Sequence, residues 1–417
     1  MTPGRGASPA GPLATLREAA EALGARPPWS RVSMIGLIGF VLASPFSISL
    51  SQIFVYTAIA AWLVSLWREG RPDAGRFPLG KPFALFACLT LLSAAVSEDP
   101  ARSLTDAKQL FQILIFYCAI HTVADAREGV WLVKALLAAA AAVSAYTLGA
   151  ALLNPLGLAN RMSGFFSIYM TLGGYLLIAG ALAFAYTVVS GGARGRWWIA
   201  AAGVLIAAAM LTTFSRNAWI GFGASAVCAA AAARSVKGGA LIAGFAALVL
   251  ILSPAPVRKR IWSIGDLQDT TARERIFMWE SGMRMVRDRP LFGTGLDMIK
   301  RTYTRYAHPA AVKKRTGHLH NNLLQIAAER GVPALAAWVW IMALFFWEAA
   351  RRLRKLGEAP FERRFLAAGG LAAVAGFFGA GLFEYNYGDS EVVMLAYLAM
   401  ALPFMGGERE AASSGAG

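Results

Sequence analysis

Acidic residues, histidines and cysteines are all scarce in this chain. Its 417 residues include 24 Asp and Glu, four His and three Cys. Cys88, Cys118 and Cys228 each fall inside an apolar run. That placement argues against a disulfide framework or a zinc-ribbon spacing and favours small buried side chains. Charged residues of both signs make up only 15% of the chain, while 57% is hydrophobic. A soluble domain carries roughly a quarter charged residues. The deficit, together with repeated long uncharged runs, excludes an ordinary soluble fold and leaves no room for a large soluble domain.

What is present is a series of apolar segments of membrane-spanning length, for which about 20 residues are needed. The expected spans are Val32–Pro45, Phe46–Trp67, Pro82–Val96, Leu110–Val123, Val130–Leu153 and Phe165–Val189. They continue with Trp197–Thr213, Ala218–Ala233, Gly239–Leu252, Pro333–Trp347, Phe365–Phe383 and Val392–Met405. The expected fold is therefore an all-α polytopic membrane protein of about twelve transmembrane helices, with one long periplasmic loop carrying amphipathic helices. The parts are a flexible cytoplasmic tail over 1–31, helices 1–9 over 32–252, the loop over 253–331, helices 10–12 over 332–405, and a cytoplasmic tail over 406–417. The first tail is Pro/Gly/Ala-rich, has no signal-peptide hydrophobic region, and holds at most one short helix, Leu13–Leu23.

Basic residues in the short loops set the orientation. Arg68, Arg71, Arg76 and Lys81 follow the second span, Arg194 and Arg196 the sixth, and Arg234 and Lys237 the eighth. Arg351, Arg352, Arg354, Lys355, Arg363 and Arg364 follow the tenth. All these loops share one side if the termini are cytoplasmic. The opposite connections, such as "TFSRN" and "EYNYGDSE", are short and sparse in positive charge. A net charge of +16 would suggest nucleic acid in a soluble protein. In a membrane protein, loop charge and anionic lipid head groups account for it, so membrane lipids are expected as partners and nucleic acid is not. The long loop is also basic ("VRKR", "RMVRDR", "VKKR"), which fits contact with anionic lipid or binding of an anionic substrate.

Three stretches on the loop side could carry chemistry. In "DTTARERIFMWESGMRMVRDRPLFGTGL" a helix is expected, with Thr271 and Glu274 as a capping box and Ile276, Trp279, Met283 and Val286 as its apolar face. Pro290 ends it, and Gly293 and Gly295 provide a turn. Arg275 would sit in the first turn, where free backbone N–H groups already favour anions, and a guanidinium can grip phosphate through two hydrogen bonds; a solvated or lipid-facing arginine is the alternative. In "TTFSRNAW", Arg216 lies between two spans and must either snorkel to the interface or face a polar cavity. Arg161 in "LANRMSGFF" occupies a similar position. In "GHLHNNLLQIAAERGVPAL", His320 marks the start of a helix that "GVP" breaks before the next span, with His318 in register with Asn322, Gln325 and Glu329. A histidine at a helix N-terminus has its charged form disfavoured and can accept a proton, although simple capping is the alternative. Zinc held by His308, His318 and His320 lacks any supporting His/Glu spacing, so no metal and no cofactor is expected.

The chain resembles the O-antigen ligases, within the superfamily they share with O-antigen polymerases and bacterial O-oligosaccharyltransferases. The matching stretches are "SRNAWIGF", "RIFMWESGMRMVRDRPLFGTGL", "HNNLLQIAAERGVPAL" and "SEDPARSLTDAKQL". Their order, spacing and common sidedness carry the resemblance over nearly the whole chain. It implies a metal-independent, inverting glycosyltransferase of the bacterial inner membrane with a periplasmic active site. The implied donor is a glycan on undecaprenyl pyrophosphate, and the implied acceptor is a hydroxyl of lipid A–core oligosaccharide. The family's arginines fall on Arg216 and Arg275, with Arg161 a looser match. Its histidine falls on His320, with His318 as a possible substitute. A polymerase or an O-oligosaccharyltransferase would use the same donor with another acceptor. A transporter would instead show ionisable residues in mid-span and paired repeats. Neither is visible in the sequence.

Overall fold

The computed structural model of the chain describes residues 21, 23–69, 77–190, 196–235, 238–242, 244, 251, 254–266 and 268–406. Among the described residues all regular structure is helical. Outside them lie most of the expected helix Leu13–Leu23, most of the expected span Gly239–Leu252, the tail from residue 407, and Arg71, Arg76, Arg194 and Lys237.

The helices, in chain order, begin with α1 (Pro28–Ala43), α2 (Ile48–Glu69), α3 (Gly80–Ala95), α4 (Pro100–Asp106) and α5 (Ile113–Thr122). Next come α6 (Ala126–Leu153), α7 (Tyr169–Val189), α8 (Arg196–Thr212), α9 (Arg216–Ala232) and α10 (Ala255–Trp262). The remainder are α11 (Thr270–Asp288), α12 (Ile299–Tyr306), α13 (Asn322–Leu356), α14 (Phe361–Gly381) and α15 (Ser390–Ala401). Five are long and apolar enough to cross a membrane, namely α2, α6, α7, α13 and α14. Shorter apolar helices span Pro28–Ala43, Gly80–Ala95, Trp197–Thr212 and Ser390–Phe404. The chain is thus an all-helical membrane protein.

Apolar burial sorts the helices. Along α7 and α14 nearly every position is buried, and α15 is buried from Val392 onward, as expected for helices apolar on all sides. They form the centre of the bundle. Outward-facing residues of α2, α6 and α8, including Trp67, Leu152 and Trp197, are exposed to the surroundings. Apolar surface gives no preference for protein over lipid, so close backbone packing has to hold the bundle. At the α9–α14 crossing a Cβ on Gly221 would lie 2.6 Å from the Gly376 carbonyl oxygen, so only small residues permit this approach.

The polar segment folds into a cap with its own small core of Met278, Met285, Ile299, Tyr303, Leu319 and Ala328. Two expectations for α11 are corrected here. Asp269, not Thr271, caps the helix, accepting from the Thr271 and Ala272 N–H groups. Glu274 faces the other way and accepts from the Val312 and Lys313 N–H groups, so no capping box forms. The buried face is Met278, Ser281, Gly282 and Met285, while Met283 is exposed. The helix packs against α13, and a Cβ on Gly282 would lie 2.8 Å from the Leu324 side chain, so the close contact needs a glycine there.

Candidate functional site

The site grows from the way the cap is tied to the bundle. In the turn before α12, Thr294 and Gly295 donate their N–H groups to the Ala328 and Glu329 carbonyls, both at 2.9 Å. Gly293 and Gly295 both have positive φ, and a Cβ on Gly293 would lie 2.6 Å from the Ala328 oxygen. These glycines therefore serve close backbone approach, beyond the turn flexibility expected of them. Ser93 on α3 donates to the Phe292 or Glu329 carbonyl, at 2.7 and 2.9 Å. Ion pairs link α4 and the connection before it to the cap, with Arg102 on Asp297 at 2.6 Å and Arg289 on Glu98 at 2.6 Å. The stretch "SEDPARSL" is thus a docking surface.

Against this frame the segment 318–322 is fixed residue by residue. Trp279, one turn beyond Arg275 on α11, donates its indole N–H to the Leu319 carbonyl at 3.1 Å. The Leu319 N–H donates to the Gln325 side chain at 2.8 Å. Asn321 caps α13 and donates its amide to the Leu382 carbonyl. Asn322, fully buried, bonds to Asn386 at 2.6 Å and to the Tyr387 N–H at 3.1 Å. His320 lies between them with φ of +50°, a left-handed backbone that costs a non-glycine residue energy and persists only where its surroundings hold it. As expected, α13 is interrupted before its apolar stretch, by the non-helical Gly331 at φ +85°. The polar stripe Asn322, Gln325 and Glu329 is buried, and it fastens the cap. His318, expected in helical register with that stripe, lies in the loop before the helix.

The residue that joins these parts is Glu384, in the turn between α14 and α15. Its carboxylate lies 2.8 Å from His320 Nδ1 and 3.1 Å from Arg275 Nη2, with His318 Nδ1 at 3.7 Å. Burial alone would raise this carboxyl. The hydrogen bond from His320 and the charges of His320, Arg275 and His318 outweigh that and hold it down to about 2. An ionised Glu384 accepts, so His320 carries its proton on Nδ1, and its Nε2 has no hydrogen-bond partner among the described residues. His318 is pushed down to about 4, first by burial and then by the neighbouring His320, Arg275 and Lys300, against the opposing pull of Glu384. It is therefore neutral near pH 7. The two rings meet edge to face with centroids 4.2 Å apart.

In front of them opens a cavity of about 710 Å³. All five residues singled out in the sequence line it: Arg161, Arg216, Arg275, His318 and His320. Three further cations, Arg260, Arg273 and Lys313, join them, and Glu274 is the one acidic residue in the lining. Arg216, at the start of α9, is buried and points inward, away from the interface. It donates to the Ser263 carbonyl at 2.7 Å and to Asp269 at 3.1 Å. Arg161 lies 4.3 Å over the ring of Tyr169. Burial, followed by the repulsion of Arg216 and Arg161, lowers Arg260 to about 10 despite Asp269. Burial likewise lowers Arg275, with Glu384 opposing. These cations cost free energy to hold together, and an anion in the cavity would relieve that cost.

Residues 201–339 match a family described as O-Antigen ligase. The matched segment belongs to the O-antigen ligase family. It contains Arg216, Arg275, His318 and His320, and omits Arg161 and Glu384. The chain is also 25% identical to the Exopolysaccharide production protein ExoQ of Rhizobium meliloti (strain 1021), over 81% of this chain and 80% of that protein. Together they mark an O-antigen ligase- or polymerase-like membrane enzyme, glycosyltransferase-like in class.

Three residues of the O-antigen ligase-like site escaped the sequence reading. Glu384 lies within "EYNYGDSE", where an acid directly after an apolar span, on the same side as the histidines, is a usable signal. Arg260 was absorbed into a generally basic loop, and Asn217 into the neighbourhood of Arg216. The geometry also reopens the metal question. His318, His320 and Glu384 offer donor atoms within 4.8 Å of one another. Arg275 already engages the carboxylate, however, and the surplus of cations around the cavity disfavours a metal ion and favours an anion.

Proposed function

We propose that the chain is an O-antigen ligase, transferring a glycan from undecaprenyl pyrophosphate to a hydroxyl of lipid A–core oligosaccharide. It would work at the periplasmic face of the bacterial inner membrane, with both termini cytoplasmic. The observation that carries this reading is the cavity lined by six cationic side chains next to a His–Glu pair. Arg275 and Arg216, assisted by Arg161, would hold the pyrophosphate. The acceptor O–H gives its proton to His320 Nε2 while its oxygen forms a bond to the anomeric carbon. The bond from that carbon to the pyrophosphate oxygen breaks, and its electron pair leaves as pyrophosphate charge. Guanidinium groups in a partly dry site stabilise that developing charge, and direct attack inverts the anomeric centre. The surplus of positive charge is why the reaction is written without a metal.

The test is purified protein incubated with undecaprenyl-pyrophosphate glycan and lipid A–core, with the product lipids resolved on a gel. A shifted lipid A–core band supports the ligase. A second reading, polymerisation onto another lipid-linked glycan, is favoured by the relative's name, which concerns exopolysaccharide production. It predicts elongated lipid-linked glycan and an unshifted lipid A–core band.

A further inference from the structure

A second cavity, of about 410 Å³, lies behind the histidines. Its lining has the opposite character, with Asp297, Glu329, Glu384, Asp389 and Glu391 and a single lysine, Lys300. Gln109, Asn217, Gln325 and Asn386 also line it, the Gln325 amide already bonded to Leu319 and Glu329 and the Asn386 amide to Asn322 and Phe377. Asp297, Glu329 and Glu384 have basic partners, whereas Asp389 and Glu391 form no ion pair among the described residues.

Three residues, Met170, Asn217 and His318, line both cavities and form the wall between them. Asn217 is the telling one. It is 5% exposed, and its side-chain amide makes no hydrogen bond among the described residues. Its amide atoms are not sealed off, so a ligand or solvent in the cavities can complete their hydrogen bonds. Its immediate neighbour Arg216 faces the cationic cavity, so the start of α9 addresses both compartments.

Displacement at an anomeric carbon places the nucleophile opposite the leaving group. With the pyrophosphate among the guanidinium groups, the attacking hydroxyl comes from the side away from them, where His318, its ring centroid 4.2 Å from that of His320, faces both cavities. Carboxylates and amides accept from and donate to hydroxyls, and among the described residues no guanidinium lines this cavity to grip a phosphate.

We propose that this second cavity binds the acceptor as an unphosphorylated, hydroxyl-rich sugar ring, with the Asn217 amide among its hydrogen-bonding partners. The inference rests on the glycosyl-transfer reading and adds to it a division of the substrates by charge. The ring entering this cavity carries no phosphate, whatever phosphates the rest of the acceptor bears.

The experiment has two arms. In the first, initial transfer rates are measured with donor and acceptor varied separately, for wild type, Asn217→Ala and Ile48→Trp. Ile48 is a partly exposed lining residue at which a larger side chain would fill the cavity. Both variants are expected to raise the acceptor KM, Asn217→Ala about tenfold, the size of one lost hydrogen bond, and Ile48→Trp should keep the donor KM within about twofold. Slow donor hydrolysis, in which water replaces the acceptor, should persist in Ile48→Trp. A rise in donor KM in Ile48→Trp, or an unchanged acceptor KM in both variants, would overturn the proposal. In the second arm, binding of an unphosphorylated oligosaccharide is measured calorimetrically on the wild type and Asn217→Ala without donor. Binding weakened by the substitution supports the cavity even if no transfer occurs, in which case the ligase reading alone fails. Binding unaffected by the substitution overturns the cavity assignment even if transfer is seen.

Discussion

Glu384 draws together Arg275 from one stretch of the chain and His318 and His320 from another. Its carboxylate orients His320, anchors Arg275, and lies near His318. Glu384→Gln keeps the shape but loses the charge that fixes the His320 tautomer. Glycosyl transfer by this variant should fall by about 10² or more, comparable with His320→Ala, as expected for a general base and the group that orients it. His318→Ala should lose less. Full activity in His320→Ala, at equal expression in a strain lacking the native enzyme, would remove it from the mechanism. A pH effect belongs to the same scale. His318 is held at about 4 in the folded protein, below the ordinary histidine value near 6.5. Between those values the unfolded chain binds a proton that the folded site refuses, so stability rises with pH. This contribution is complete above about 6.5 and is lost as pH falls towards 4. Thermal melting in detergent should therefore show a steeper acid loss for the wild type than for His318→Asn.

At the level of elements, the cap is held by the backbone more than by its ion pairs. Gly331 has φ of +85°, and a Cβ there would overlap the Leu291 carbonyl. Gly331→Ala should therefore cost more than about 1 kcal/mol, lower the melting temperature, and expose the cap to proteolysis. Arg305→Ala removes an exposed ion pair to Glu98 and should change stability by less than about 1 kcal/mol. The contrast is measurable by melting both variants alongside the wild type. The helix pattern itself was readable. Apolar runs gave most of the helices to within a few residues because their length is set by the membrane. Capping and facing in α11 were misjudged because a tertiary contact, the Glu274 carboxylate on the 312–313 backbone, outcompetes a local one.

For the whole molecule, the distribution of basic loops implies that the cap and the α13–α14 connection lie on opposite sides of the membrane. Lys313→Cys should react with a membrane-impermeant maleimide in cells with a permeabilised outer membrane, and Glu358→Cys only after lysis. Labelling of both or neither before lysis would contradict the orientation. Both variants belong in a background lacking Cys88, since that residue is exposed.

The sequence by itself determined that this is a helical membrane protein, where its charge collects, and which arginines and histidines could act together. Those follow from hydropathy, charge and spacing, which are properties of the chain as written. Only the tertiary structure decided that Glu384 joins the histidines, that Asn217 and His318 divide a cationic cavity from an acidic one, and that the "PLFGTGL" glycines serve docking. Each of these depends on residues far apart in the chain meeting in the folded bundle, where burial and neighbouring charge set what each group can do.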